Sequence, residues 1–201
     1  MSFRVPKTKL VMSSYKVLNN QIFNHFNYKI VPIRKIDRYD IMKWRNNQLF
    51  HLRQVEKLTK ESQDLYFNNI ISKQFDEQNP DQILFSYICK NKCIGYGGLV
   101  HINWIDKHAE LSFVLNDQHV SNKETYKNEF NVFIKLILEV GFGELNLNKI
   151  ITETFDVRSF HLSILESNGF EIEGRMKDHI LINGSYVDSL IHAFHKKNYN
   201  A

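Results

Sequence analysis

The chain has two cysteines among its 201 residues, Cys89 and Cys93. Two thiols build neither a disulfide framework nor a four-ligand zinc site. Their scarcity fits a reducing, cytoplasmic location. No apolar run approaches the roughly 20 residues of a membrane span. The opening Met1-Ser-Phe-Arg-Val-Pro-Lys7 lacks the apolar centre of a signal peptide. No internal repeat or low-complexity tract is present. What remains is ordinary globular composition, 43% hydrophobic and 13% aromatic. That excludes disorder as the dominant state, and the length suits one domain.

Excess charge of one sign is also lacking over most of the chain. Residues 1–40 hold eight Lys/Arg against two Asp/Glu, while the remainder holds 18 against 20. A uniformly basic nucleic-acid binder has a different distribution. The basic N-terminus reads as a solvated extension, although an anionic partner or membrane surface is an alternative.

Residues 1–27 show no clean period; Tyr15, Val17, Leu18, Ile22, Phe23 and Phe26 suggest a short docking helix. Residues 28–33 read as an edge strand, because Pro32 cannot donate to a ladder. Asp37 is a plausible N-cap for a helix carrying Ile41, Met42, Trp44 and Arg45. Thr59 would cap a second helix, with Leu65, Phe67, Ile70 and Ile71 inward. Asn79-Pro80-Asp81 breaks the chain.

Residues 83–89 and 93–103 form a hairpin about Asn91-Lys92. Lys90 is expected opposite Cys93 and Cys89 opposite Ile94, with the two cysteines on opposite faces. Gly95, Gly97 and Gly98 suggest a bulge or a close approach. Residues 108–115 are a strand with Ala109, Leu111, Phe113 and Leu115 on one face and Glu110 and Ser112 on the other. The longest helix signal covers about 124–142, where Phe130, Phe133, Ile134, Ile137, Leu138 and Gly141 keep helical spacing. A strand at 145–155 and a short helix at 159–168, ended by Gly169, follow.

Residues 170–182 and 185–194 flank Asn183-Gly184, the strongest short hairpin signal. That loop sets Ile182 opposite Ser185 and Leu181 opposite Tyr186. The same register sets His179 opposite Asp188 and Arg175 opposite His192. Ile180 with Val187 and Met176 with Ile191 then share the other face.

The order β-α-α-β-β-β-α-β-α-β-β implies an α/β fold with a sheet of mixed direction. It resembles the GNAT N-acetyltransferase superfamily over about residues 28–195. Ala109-Glu-Leu-Ser-Phe-Val-Leu115 looks like the family's fourth strand. Phe142-Gly-Glu-Leu-Asn-Leu-Asn-Lys-Ile150 looks like the link from its long helix to its fifth strand. Leu165-Glu-Ser-Asn-Gly-Phe170, Glu173-Gly-Arg175 and Asn183-Gly-Ser-Tyr-Val-Asp188 resemble its C-terminal signature. The branch indicated holds ribosomal-protein alanine acetyltransferases and amino-sugar acetyltransferases of the pseudaminic-acid type, whose Trp-Arg-Asn resembles Trp44-Arg-Asn46. The resemblance implies a single domain at 28–195 between a basic extension, 1–27, and a tail, 196–201. Its strongly twisted sheet would have six to seven strands, flanked by about four helices.

The resemblance implies acetyl-CoA as co-substrate and no metal. Its pyrophosphate loop aligns with Thr125-Tyr-Lys-Asn-Glu-Phe130, which has no glycine. Asn128 stands where the family has one, tolerating left-handed angles, and Lys123 and Lys127 add positive charge. The pantetheine would pair with the backbone around Phe113, Val114 and Leu115. A family Asn aligns with Arg158, and the family's proton-donating Tyr aligns with Leu165, leaving His161 as candidate acid.

Glu110 is the candidate base. Trp44, Arg45, His51, Arg53, His101 and Trp104 would build the acceptor pocket, offering a ring to stack on and arginines for a diphosphate. His179, Tyr186 and Asp188 on the C-terminal hairpin would border it. The expected acceptor is a small amine, best a nucleotide-linked amino sugar. A protein N-terminus and a catalytically degenerate binding module are the alternatives. No nucleic-acid partner and no membrane span are expected, and a homodimer is possible.

Overall fold

A computed structural model describes residues 13–199. One eight-stranded sheet runs β1-β2-β3-β4-β5-β6-β8-β7. Its strands are β1 Phe23–His25, β2 Tyr28–Pro32, β3 Ile83–Cys89, β4 Lys92–Asn103, β5 His108–Leu115, β6 Lys149–Phe155, β7 Glu171–Ile182 and β8 Ser185–His195. Every pairing is antiparallel except β5 with β6. The mixed direction is as the element order implied; the strand count is slightly higher.

The additional strand is β1. Instead of a docking helix, Phe23–His25 pairs with Tyr28–Ile30, and Tyr15, Leu18 and Phe23 are buried in the main core. The Tyr15 hydroxyl donates to the Leu84 carbonyl at 2.8 Å, and the Asn19 amide donates to Glu144. Much of what reads as an extension is therefore folded against the sheet. The basic residues Arg4, Lys7 and Lys9 lie outside the described residues.

Helices cover both faces of the sheet. On one lie α1 (Arg38–Asn47) and α2 (Lys60–Tyr66), which runs through a π turn, Phe67–Ile71, into α3 (Ser72–Gln74). Ile41, Trp44, Phe67 and Ile71 pack there on Leu84, Tyr96 and Val114. Thr59 caps α2 with a reciprocal Ser62 capping box. The inward face is Gln63, Phe67, Ile71 and Gln74, so Leu65 and Ile70 point to solvent instead of inward. Asp37 precedes α1 but makes no side-chain cap. Its carboxylate instead accepts from Arg34 and from the Ser86 hydroxyl.

The opposite face carries the short α4 (Asp117–Val120), α5 (Lys123–Leu138) and α6 (Ser159–Ser167). Phe130, Phe133, Ile134 and Ile137 of α5 are wholly buried. Burial of each is worth about 1.5–3 kcal/mol. Phe113 of β5 stacks on Phe130, with ring centroids 4.8 Å apart. α6 ends at Gly169, with φ 85°, where the Phe170 amide donates back to the Leu165 carbonyl at 3.1 Å.

The glycines of β4 mark close approach. A Cβ at Gly97 would collide with the Ser112 carbonyl, and one at Gly98 with that of Ile83. The register shift of this hairpin lies instead at Tyr87/Ile88. Its turn is Lys90-Asn91, both at positive φ, so Cys89 faces Lys92 and Ile88 faces Cys93. The turn has moved by one residue and the pairing by two, so the cysteines still point to opposite faces, and both are free.

The C-terminal hairpin keeps the expected pairs Ile182–Ser185, Leu181–Tyr186 and Ile180–Val187. Beyond them a bulge intervenes, and Met176 faces Ser189 while Arg175 faces Leu190. Asp178 takes φ 50° there, and its amide donates to the Asp188 carboxylate at 2.9 Å. The expected His179–Asp188 and Arg175–His192 pairs are thereby lost. Asp188 instead pairs with Arg175 at 2.7 Å.

Candidate active site

The parallel pair β5–β6 has three rungs, the last being Glu110 with Ile151. Beyond it each strand keeps its outer partner, β5 with β4 and β6 with β8. Between them the strands part, so backbone groups on the facing edges lose their ladder partners. A cavity of about 410 Å³ occupies this opening. Its wall runs from Arg45, His51 and Arg53, on or just after α1, through the parted strands to Arg158 and His161 of α6. It thus joins the two faces of the sheet.

Glu110 stands on the last rung, its side chain pointing to the α1 face. Glu153 of β6 lies two residues beyond Glu110's partner and therefore shares that face. Arg53 joins them, lying 3.2 Å from the Glu110 carboxylate and ion-paired with Glu153. His101 Nδ1 meets Glu110 at 3.0 Å and His179 Nδ1 meets Glu153 at 3.3 Å. Glu153 Oε1 is buried without a hydrogen bond. Asp81 adds a third carboxylate to the wall.

At the α6 end, Arg158 Nη2 donates to the Tyr126 hydroxyl at 2.8 Å. That hydroxyl lies 2.7 Å from His161 Nδ1. The tyrosine oxygen accepts from Arg158, which leaves its own proton available to a bare His161 Nδ1. Burial and the Arg158 charge hold the His161 pKa well below its ordinary value. With Nδ1 accepting, the neutral ring carries its proton on Nε2, and His161 lines the cavity. Burial also raises the Tyr126 pKa, keeping the phenol protonated.

His51 follows similar logic. Gln48 Nε2 donates to two carbonyls, of Trp44 and Leu115, so its oxygen faces His51. His51 Nε2 must donate to that oxygen at 3.2 Å. Its Nδ1 is then a buried lone pair with no partner. Burial and the Arg158 charge push its pKa down to about 3.

Of the residues expected from sequence, the cavity gathers Arg45, His51, Arg53, His101, Glu110, Phe113, Arg158 and His161. The others lie elsewhere. Trp44 is buried under α1 in the second core and offers no ring to a ligand. Trp104 points its indole N–H to the Pro80 carbonyl. Val114 and Leu115 are buried, and Tyr186 is exposed on the hairpin. His179 approaches the site through Glu153 and a 2.9 Å contact to the Ser189 hydroxyl, without Asp188.

Thr125, Lys127 and Asn128 are inside α5, not in a loop. Asn128 has no positive φ, so it does not replace a glycine. The Asn122 side chain caps the helix at the Thr125 amide, 2.9 Å away, and Lys123 lies over the Phe160 ring. Leu165 is wholly buried.

Sequence reasoning missed Glu153, Asp81 and Tyr126. The Glu153 signal was strand alternation: Thr152 and Thr154 are buried on the α5 face, leaving Glu153 on the other. Nothing local marked Tyr126, whose role comes from contacts across 32 and 35 residues of chain.

The acetyltransferase (GNAT) domain model matches residues 30–191. This chain belongs to the GNAT acetyltransferase family. It is 26% identical over 124 residues to the spermidine N(1)-acetyltransferase of Escherichia coli strain K12, covering 60% of this chain and 63% of that protein. Against the Vibrio cholerae enzyme of the same name it is 30% identical over 95 residues, 47% of this chain and 52% of that one. The chain thus matches less than two thirds of the length of these curated relatives.

The structure of the Vibrio cholerae spermidine N-acetyltransferase with CoA and spermine superposes with TM-score 0.75 at 20% identity, covering 87% and 99% of the two chains. A dodecameric structure of that enzyme gives 0.72 at 21% identity, covering 87% and 97%. These likenesses establish the fold. The relatives are named for a polyamine, and none of them carries the ribosomal-protein or amino-sugar assignment.

Where the family's glycine loop aligns, this chain has the first turns of α5.

Proposed function

We propose that this chain transfers the acetyl group of acetyl-CoA to the primary amine of a small acceptor held on the α1 face. Acetyl-CoA supplies the activated acetyl thioester. The observation that carries the reading is the position of Glu110, on the last rung before the strands part, in a cavity open to both faces.

An ammonium must lose a proton before it attacks. Glu110 and Glu153 attract the cation, and Glu110 takes the proton, directly or through water. Arg53 and His101 orient that carboxylate. On the other side His161 offers Nε2–H, a donor of the kind developing negative charge requires. The Tyr126 hydroxyl, held by Arg158, favours that tautomer. Arg158 and Lys123 hold the phosphate end of the donor.

Two acceptor classes have specific support. The carboxylates Glu110, Glu153 and Asp81 suit a polyamine, the substrate for which the relatives are named. Arg45 and Arg53 beside them suit a nucleotide-linked amino sugar. Calorimetry with acetyl-CoA tests the reading first, followed by thiol release with a panel of amines. Binding and amine-dependent thiol release are expected. Absence of binding at millimolar acetyl-CoA would instead mean a GNAT fold used as a binding module.

A further inference from the structure

Six arginines lie among the described residues. Four are ion-paired: Arg34, Arg38, Arg53 and Arg175. Arg45 and Arg158 pair with no described carboxylate, and both line the one cavity. A half-buried guanidinium without a counter-charge carries a desolvation cost that an anionic ligand relieves.

The phosphates of the donor account for Arg158. Arg45 is at the other end, on α1. It is held by neutral groups only: its Nε donates to Gln54 Oε1 at 2.8 Å and its Nη1 to the Tyr96 hydroxyl at 2.6 Å. Gln54 is fixed in turn by Asn46 and the Glu56 carbonyl. The guanidinium is therefore aimed, and its remaining donors are free. Arg45 also lines a second cavity of about 280 Å³, with Gln82, Val100 and Ser112 common to both. On the same cavity wall His51, nine-tenths buried and under the charge of both Arg158 and Arg45, presents the unpartnered Nδ1 lone pair.

We propose that Arg45 and His51 form an anion subsite for the acceptor, which is therefore an amine that also bears a phosphate or carboxylate, and not a polyamine. The anion sits on Arg45, and a hydroxyl or N–H of the same molecule donates to His51 Nδ1. The amine lies at Glu110 and Glu153. With Arg158 given to the donor, the acceptor end holds Arg45 and Arg53 against Asp81, Glu110 and Glu153; Arg53 is paired with both glutamates, which leaves Arg45 as the cation open to an anion and the carboxylates for the amine. This inference rests on the transferase reading for the amine, but the anion subsite stands on geometry alone.

The test is calorimetry on the full chain saturated with CoA, which occupies the Arg158 end, titrated with inorganic pyrophosphate and separately with spermidine. Pyrophosphate is expected to bind, at least about tenfold more weakly in Arg45→Gln and at an intermediate level in Arg45→Lys. Spermidine should bind more weakly than pyrophosphate. Equal pyrophosphate affinity in Arg45→Gln, no pyrophosphate binding, or tighter spermidine binding would overturn the subsite. If CoA itself does not bind, the transferase reading fails separately. Pyrophosphate titrated into the unloaded chain then decides the subsite, through loss in Arg45→Gln but not in Arg158→Gln.

A matched kinetic panel separates the sources of the anion: 5-aminopentanoate, 5-aminopentyl phosphate, pentylamine and 1,5-diaminopentane. The anionic amines should exceed pentylamine about tenfold or more in kcat/KM, an advantage lost in Arg45→Gln. A carboxylate acceptor is indicated if the pentanoate leads, and a phosphate if the phosphate ester leads. Preference for the diamine contradicts the proposal.

Discussion

The two ends of the cavity are built differently. On the α1 side charged groups dominate, with Arg53 and His101 reaching solvent above the largely buried Glu110 and Glu153, joined pairwise: His101 with Glu110, Arg53 with Glu110 and Glu153. On the α6 side the wall is buried and aromatic. His161 stacks on Phe130 at 4.4 Å, Phe130 on Phe113, and a single arginine touches the Tyr126 hydroxyl. One end can exchange partners as a substrate enters. The other is fixed by packing around a buried, neutral histidine. That division suits a transferase with a variable acceptor and a constant donor.

The largest test of the division is Glu110→Gln. Turnover should fall roughly 10²–10⁴-fold at neutral pH with acetyl-CoA affinity unchanged. Part of the rate should return at high pH, where free amine is abundant. Equal activity of variant and parent over pH 6–9 would take Glu110 out of the chemistry.

Next is the packed end. Phe130→Ala should cost about 3–5 kcal/mol in denaturant unfolding, because three aromatic contacts lose their centre. A loss below about 1 kcal/mol would show that the aromatic wall is not structural.

His51 sharpens the comparison through pH. Its folded pKa of about 3 lies below the ordinary histidine value of 6.5. The unfolded chain therefore binds the extra proton first, and stability falls as pH drops from 6.5 toward 3, with no effect above. His161, shifted in the same direction, adds to the slope. His51→Asn should flatten that acid limb relative to the parent, by on the order of a few kcal/mol at most. An unchanged difference between pH 7 and pH 4.5 would contradict a buried neutral His51.

The smallest expected effect is at Asp188. It pairs with Arg175 on the exposed hairpin, away from the cavity. Asp188→Asn should leave acceptor KM and kcat within about twofold, as exposed pairs contribute little.

Much of this was legible in the sequence where local chemistry sets geometry. Asn183-Gly184 fixed three cross-strand pairs, and helical spacing located the buried face of α5. Alternation placed Glu110 opposite Phe113's face. The bulge at Asp178 was not legible, because its φ of 50° is held by a carboxylate ten residues away. Trp44 reads as a stacking ring until the sheet covers it. The first turns of α5 read as a loop only by alignment; without glycine, and with Asn122 as cap, the chain continues as helix. Candidate site residues were recognised singly. Which arginines lack a partner is a property of the assembled cavity alone.

The most direct test of a divided cavity is a crossed kinetic measurement. Arg158→Gln and Arg45→Gln are compared with the parent, with KM determined separately for acetyl-CoA and for an anionic amine such as 5-aminopentyl phosphate. Arg158→Gln should raise the acetyl-CoA KM about tenfold or more and leave the acceptor KM unchanged, and Arg45→Gln should do the reverse. Both variants moving the same KM, or neither moving either, would contradict the assignment of the two ends to two substrates.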